Sequence, residues 1–162
     1  MKQLYIKQKM FSLSGKFSVT DAAQQDEYFV EGSFLQVPKT FTIFDKERNE
    51  VAHITKKIFS LLPKFFVEVD GREILTIKKE LSLFKGRYTI EHAEIEMRGD
   101  WWDMDFSVYH QHQLIGDVHK KWFSWGDQYE VTVREEAFET ILIALVVAID
   151  CVKSSEAAAA SS

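Results

Sequence analysis

Residues Ile141–Ile149 form an unbroken run of nine apolar side chains, flanked by Glu139 and Asp150. On a helix such a run is apolar on every face, and a helix apolar all round has to be enclosed on all sides. A bilayer span needs about 20 apolar residues, whereas this run rises only roughly 13 Å at 1.5 Å per residue. A membrane and a protein jacket are both conceivable enclosures, and the length favours the jacket. The helix is expected over about 134–153. Thr132-Val133-Arg134-Glu135 has the spacing of a capping box, and Glu135 and Glu136 sit where a helix N-terminus favours negative charge.

The rest of the chain reads as strands. Short runs rich in Phe, Val, Ile, Thr and Tyr alternate with polar residues between turn signals. They are Leu4–Phe11, Lys16–Thr20, Glu27–Phe34, Thr40–Asp45, Val51–Lys57, Phe65–Asp70, Glu73–Lys79, Arg87–Glu91, Glu94–Arg98, Asp103–His110, Leu114–Lys121 and Gln128–Val133. Asp70-Gly71 has the composition of a type I′ hairpin turn, and Gln111-His112-Gln113 is polar enough for a hairpin tip. About twelve strands could close around the helix, because a barrel of that size is too wide for its own side chains to fill. Closure would also remove sheet edges that invite aggregation. The expected fold is mostly β: a closed, roughly twelve-stranded antiparallel barrel enclosing a C-terminal hydrophobic helix. It forms one domain over residues 1–153, and the small, polar 154–162 reads as a flexible tail.

Composition narrows the function classes. The chain has 162 residues, enough for one domain with its own core, and 46% of them are hydrophobic. Its single cysteine, Cys151, can form neither an internal disulfide nor a cysteine-based zinc cage, which fits a reducing, cytoplasmic setting. The start, MKQLYIKQKMF, lacks the continuous apolar stretch of a signal peptide. A net charge of −5 argues against nucleic acid as a partner. It also argues against general attraction to anionic membranes.

An internal repeat singles out lysines. Ile54-Thr-Lys-Lys-Ile-Phe-Ser60 matches Val118-His-Lys-Lys-Trp-Phe-Ser124 without a gap, and Tyr28–Phe34 resembles Ile95–Trp101, at offsets of about 64–67 residues. A shorter echo begins at Ile77-Lys-Lys-Glu-Leu81. The pattern suggests a duplicated antiparallel meander. In each copy a lysine (Lys56, Lys79 or Lys120) falls between two apolar residues, so a strict period of two puts it on their face of the strand. Such a lysine must snorkel, find a partner or sit beside a bulge. A repeated structural device is the plainer reading. The functional one is a phosphate-recognising cluster of Lys56, Lys57, Lys79, Lys120 and Lys121.

The chain resembles the LURP-one-related family, part of the tubby C-terminal-like superfamily, as a short single-domain member of bacterial type. The resemblance rests on Tyr28-Phe-Val-Glu-Gly-Ser-Phe34, Phe41-Thr-Ile-Phe-Asp45, Val51-Ala-His-Ile-Thr-Lys-Lys57, Val118-His-Lys-Lys-Trp-Phe-Ser-Trp-Gly-Asp-Gln-Tyr129 and Ala144-Leu-Val-Val-Ala-Ile-Asp150. It spans about residues 4–153. It implies a closed twelve-stranded barrel around a hydrophobic helix. Tubby proteins bind phosphoinositides through basic surface residues, and related scramblases are linked to phospholipid movement. The tubby phosphoinositide-binding residues are not matched here position by position.

Other chemistry is sparse. His110, His112 and His119, with Asp117 between, could be metal ligands if a hairpin tip brought them together, but exposed histidines without metal are the simpler reading. Asp100, Asp103 and Asp105 flank Trp101 and Trp102, yet alternation places Asp103, Asp105 and Ser107 on a solvated face. Cys151, at the end of the apolar run, is expected to be buried and inert. Trp101, Trp102, Trp122 and Trp125 are expected mainly to fill core. The leading expectation is a non-enzymatic binding module for a phospholipid headgroup, another phosphate-bearing ligand or a protein. It needs no cofactor, metal or transmembrane segment. The alternatives are a scramblase-type lipid mover whose Ile141–Ile149 inserts into the bilayer, a protein-interaction scaffold and, least favoured, a metal-dependent enzyme.

Overall fold

The structure, a computed structural model, describes residues 1–8, 17–33, 39–57, 64–80, 87–92, 94–123 and 126–160. Among the described residues twelve strands form one antiparallel sheet. They are β1 (Lys2–Gln8), β2 (Phe17–Asp21), β3 (Asp26–Gly32), β4 (Lys39–Asp45), β5 (Glu50–Lys57), β6 (Lys64–Val69), β7 (Arg72–Glu80), β8 (Arg87–His92), β9 (Ile95–Asp100), β10 (Asp105–His110), β11 (Gln113–Phe123) and β12 (Gly126–Val133). A 3₁₀ turn, Glu136–Phe138, leads into the helix α1 (Glu139–Ala160). The sheet order is β8-β7-β6-β5-β4-β3-β2-β1-β12-β11-β10-β9. Among the described residues no ladder joins β8 to β9, so closure of the sheet is not seen directly. The two edge strands are nonetheless consecutive in the chain, with only residues 93 and 94 between them.

Antiparallel neighbours give the sheet two distinct ends. Odd-numbered strands start at one, the entry end, and finish at the other, the exit end. Tight entry-end hairpins follow from local sequence. Asp70 and Gly71 both have positive φ, +50° and +74°, as the type I′ turn requires. Gln111 and His112 adopt the same hand at 47° and 69°. Register shifts at Val19/Thr20, Ile43/Phe44, Val67/Glu68 and Val108/Tyr109 recur close to entry-end hairpins. Bulges of this kind tighten strand twist and help a sheet to curl.

The alternation read from the sequence is the alternation observed. In β6, Phe65, Val67 and Val69 are buried, and in β5 Ala52 and Ile54 are buried. Every residue of α1 from Leu142 to Val152 is buried, whichever way it faces. Fully burying one Leu, Ile or Val is worth about 1.5–3 kcal/mol, so this helix is the largest single contributor to the core. At Gly116 of β11 an added Cβ would stand 2.5 Å from Leu142 Cδ1 and 2.8 Å from the Thr132 carbonyl. The missing side chain therefore lets the helix approach the sheet.

Both polar ends of the buried helix are satisfied. At the entry end Glu139 Oε1 accepts from Lys2 Nζ at 2.9 Å and from the Tyr28 hydroxyl at 2.8 Å, and Lys2 also meets Glu27 at 3.0 Å. Toward the exit end the Tyr129 hydroxyl of β12 donates to Asp150. Burial alone would lower the Lys2 ammonium, but its bonds to Glu139 and Glu27 outweigh that and raise it above the ordinary lysine range. Burial, with the Glu139 bond, likewise raises the Tyr28 hydroxyl.

The C-terminal region departs from expectation in two ways. Thr132 is not a helix cap: it is a buried residue of β12, paired with Asp117 and Gln3. Glu135 caps nothing with its side chain and instead accepts from Gln113 Nε2 at 2.8 Å, so α1 begins only at Glu139. At the other end α1 continues to Ala160 where a tail was expected from 154. Four consecutive alanines, the strongest helix formers, account for the extension.

Two predictions follow from this packing. Gly116→Ala should lose about 1–3 kcal/mol in chemical denaturation, because the new methyl overpacks Leu142 against the Thr132 carbonyl. Lys2 and Tyr28, whose ordinary values are 10.5 and 10.0, are both raised in the folded chain. Their contribution is fully present below pH about 10 and lost as pH climbs past it. In Glu139→Gln that alkaline decline in stability should flatten.

Candidate functional site

Topology gathers the lysines that sequence alone left scattered. Lys56 and Lys57 close β5, Lys79 stands next to the end of β7, and Lys120 and Lys121 lie in the last third of β11. All three strands are odd-numbered, so all five residues are at the exit end. Lys7 near the end of β1 and Lys64 at the start of β6 join them there. The α1 residue Lys153 does too, with its Nζ 6.0 Å from the centre of the Trp102 ring, on the β9–β10 connection.

The five expected residues do not make one cluster. Lys56, Lys57 and Lys79 belong to the β5–β7 part of the sheet, whereas Lys120 and Lys121 are on β11, six strands away along the sheet order. Lys56 faces inward as the period of two required. It is half-buried beyond Ile54, opposite Phe65, with its Nζ 5.8 Å from the centre of that ring. Lys120 follows buried Val118 on the inner face and is likewise half-buried. Lys121, on the outer face, pairs with Glu130 at 3.0 Å. The side chain of Lys79 lies outside the described residues.

The register shows a feature that the sequence reading missed. Lys57 is directly opposite Lys64, and Lys64 is directly opposite Lys78, on the outer face of three adjacent strands. Directly opposed residues have Cβ atoms about 4.5–5.5 Å apart, and like charges so placed destabilise a sheet. Lys57 Nζ lies 4.4 Å from the centre of the Phe66 ring, which holds that ammonium against the sheet. The row concentrates three positive charges on one stretch of the outer face, an arrangement that would attract an anionic ligand.

Carboxylates show the opposite bias. Asp21, Asp45, Glu68 and Asp70 lie at or beside the last residues of even-numbered strands, and Asp26, Glu50 and Glu73 at or beside the first residues of odd-numbered ones, so all are at the entry end. The net charge of −5 thus averages a cationic end and an anionic end. It understates how strongly the exit end attracts anions.

Other sequence candidates resolve less favourably. His110 and His119 mark opposite ends of the β10–β11 ladder, about 17 Å apart at roughly 3.3 Å per residue, so they cannot share a metal. His110 instead meets Glu94 at 3.1 Å and packs on Phe138. Among the described residues no group of three His, Cys, Asp or Glu is placed to hold a metal ion. Met104, Phe106 and Val108 are buried while Asp103 and Asp105 are exposed, as the alternation required. Cys151 is buried. Trp101 and Trp102 pack partly buried against the core, edge to face with each other. Trp125 and the side chain of Trp122 lie outside the described residues. Among the described residues no helix is long and apolar enough to cross a membrane.

Replacing the middle lysine of the row should stabilise the protein on its own. Lys64→Thr is expected to gain about 0.2–1 kcal/mol in urea denaturation. The gain should shrink as salt screens the row.

The comparisons agree with this architecture. A solved structure of an Arabidopsis thaliana protein superposes with a TM-score of 0.64 over 94% of this chain and 91% of that one, at 18% identity. It is a likeness of fold. The uncharacterised protein YxjI of Bacillus subtilis is 30% identical over 152 residues, 94% of each chain. The family model described as LURP-one-related matches residues 2–150. With nearly its whole length matched, the chain belongs to the LURP-one-related family.

Proposed function

We propose that this chain is a non-enzymatic binding domain whose exit end takes a phosphate-bearing ligand, foremost the headgroup of an anionic phospholipid. The observation that carries the reading is the opposed row Lys57–Lys64–Lys78. Ammonium groups act as point-charge donors to phosphate. Lys56, Lys79, Lys120 and Lys121 share that end and would add to the local potential, from inside the rim or from β11. In this reading the edges β8 and β9 meet, so that the sheet closes into a barrel and the lysine end is a continuous rim. The repeated Lys-Lys pairs of β5 and β11 are then equivalent positions of a duplicated meander.

The lipid-moving alternative requires α1 to leave the sheet. That would expose the buried stretch Leu142–Val152 and break the contacts of Glu139 and Asp150. The cost of doing so favours a domain that binds with its helix in place.

Co-sedimentation with vesicles tests the proposal. Binding should increase with the fraction of anionic lipid and weaken with salt. Each basic residue near an anionic surface is worth about 1 kcal/mol. The triple variant Lys57→Glu, Lys64→Glu, Lys78→Glu should therefore lose on the order of a hundredfold or more in affinity. Lys46→Glu, at the entry end, should leave binding unchanged. Equal losses in both variants, or no binding to any anionic vesicle, would remove the lipid reading.

A further inference from the structure

The outer face of β5, β6 and β7 carries rows of opposite sign. Toward the exit end Lys57 is directly opposite Lys64, and toward the entry end Glu68 is directly opposite Glu73. Between them runs an uncharged row, Thr55–Phe66–Thr76. On β6 the outward residues are therefore Lys64, Phe66 and Glu68, with opposite charges on either side of an aromatic ring. The ends of this triplet are about 13 Å apart at roughly 3.3 Å per residue. Glu68 is exposed, and Lys64 and Phe66 are half-buried. The side chains of Lys64 and Glu68 make no hydrogen bond or ion pair among the described residues. Glu73 accepts from the Thr76 hydroxyl at 2.9 Å, which keeps its carboxylate on the same face.

We propose that this face joins two copies of the chain in an isologous dimer, packed face to face with their β6 strands antiparallel. A dyad lying in the interface along the row Thr55–Phe66–Thr76 reverses strand direction and so exchanges the charged rows. It sets Lys64 of each copy over Glu68 of the other and brings the two Phe66 rings together at the axis. An isologous interface needs a patch that is its own complement. A pattern of charge that changes sign across an apolar centre meets that need, and it selects a second copy over an unrelated partner. An aromatic centre with charge at the rim is also the usual anatomy of an interface. At about 4.8 Å per strand and 3.3 Å per residue the patch measures roughly 14 Å by 17 Å. That is well short of the roughly 800 Å² per partner of a stable complex. The dimer is therefore weak and forms as concentration rises. It covers Lys64, so a second copy and an anionic ligand compete for this face, but the inference does not rest on the ligand reading.

Sedimentation velocity of the full chain, without lipid and at low salt, tests the proposal. The weight-average mass should rise with protein concentration toward that of a dimer and fall back as salt is added. Lys64→Glu and Glu68→Lys each set like charges against each other across the dyad, and each should weaken the dimer by more than about tenfold. Combining Lys64→Glu with Glu68→Lys in one chain exchanges the two positions and restores the net charge, so that double variant should dimerise again. Mixing the two single variants should likewise yield a heterodimer. Circular dichroism checks that each variant is folded, and the rescue excludes a mere loss of stability. A monomer at every concentration would leave the face to another partner or to solvent and would overturn the inference. So would growth beyond a dimer, which means head-to-tail contact, or a double variant that stays monomeric. Glu68→Lys keeps the whole lysine row, so it should lose the dimer while retaining vesicle binding, which separates this test from that of the ligand.

Discussion

The enclosure of α1 is the constraint on which the rest of the molecule depends. A helix buried on every face from Leu142 to Val152 cannot rest on one side of a flat sheet. It demands a curled sheet with an apolar inner face, and the alternation of twelve strands supplies one. The demand also explains details that look incidental. Gly116 lacks a side chain where Leu142 approaches, and the bulges near four entry-end hairpins tighten the curl. The buried α1 acids Glu139 and Asp150 are held by side chains reaching in from β1, β3 and β12. These polar contacts fix the depth and rotation of a helix whose apolar surface would otherwise allow it to slide.

With the interior committed to the helix, the outer face and the two ends are where binding chemistry can reside. Antiparallel topology turns strand direction into a sorting device. Lysines near the C-termini of odd-numbered strands reach one end together, and carboxylates near the C-termini of even-numbered strands reach the other. The resulting separation of charge is invisible in a net value of −5. Such a molecule would be oriented by an anionic surface before any contact forms, because field depends on how charge is distributed as well as on its sum.

Much of this was legible in the sequence because period-two alternation is a strong signal. All twelve strands were placed within a few residues, and Asp70-Gly71 was correctly read as a primed turn. The nine-residue apolar run identified the core helix. Local motifs proved weaker where tertiary context competed: the Thr132 capping box lost to a place in the β12 ladder. The lysine row was missed for a specific reason. Counting back from the Asp70-Gly71 turn without a bulge pairs Lys64 with Ile77. The shift at Val67/Glu68 moves it opposite Lys78. One unpaired residue thus changed which side chains face each other, and no composition rule reports it.

The ladder between β1 and β12 ties the first strand of the chain to the last. Such a pairing has nearly the longest sequence separation the chain allows, and α1 follows β12. During synthesis, strands β2 to β11 can pair with their neighbours while the space they curl around still lacks its filling. A nascent sheet in that state presents an open apolar trough. Folding of the whole is therefore expected to be slow, dominated by non-local contacts, and completed only once the final helix is available. The same arrangement makes the C-terminus a checkpoint. A chain truncated before α1 would keep all the hairpins but have nothing to collapse onto, and it would be a substrate for chaperones and proteases, since a complete sheet does not make a complete core.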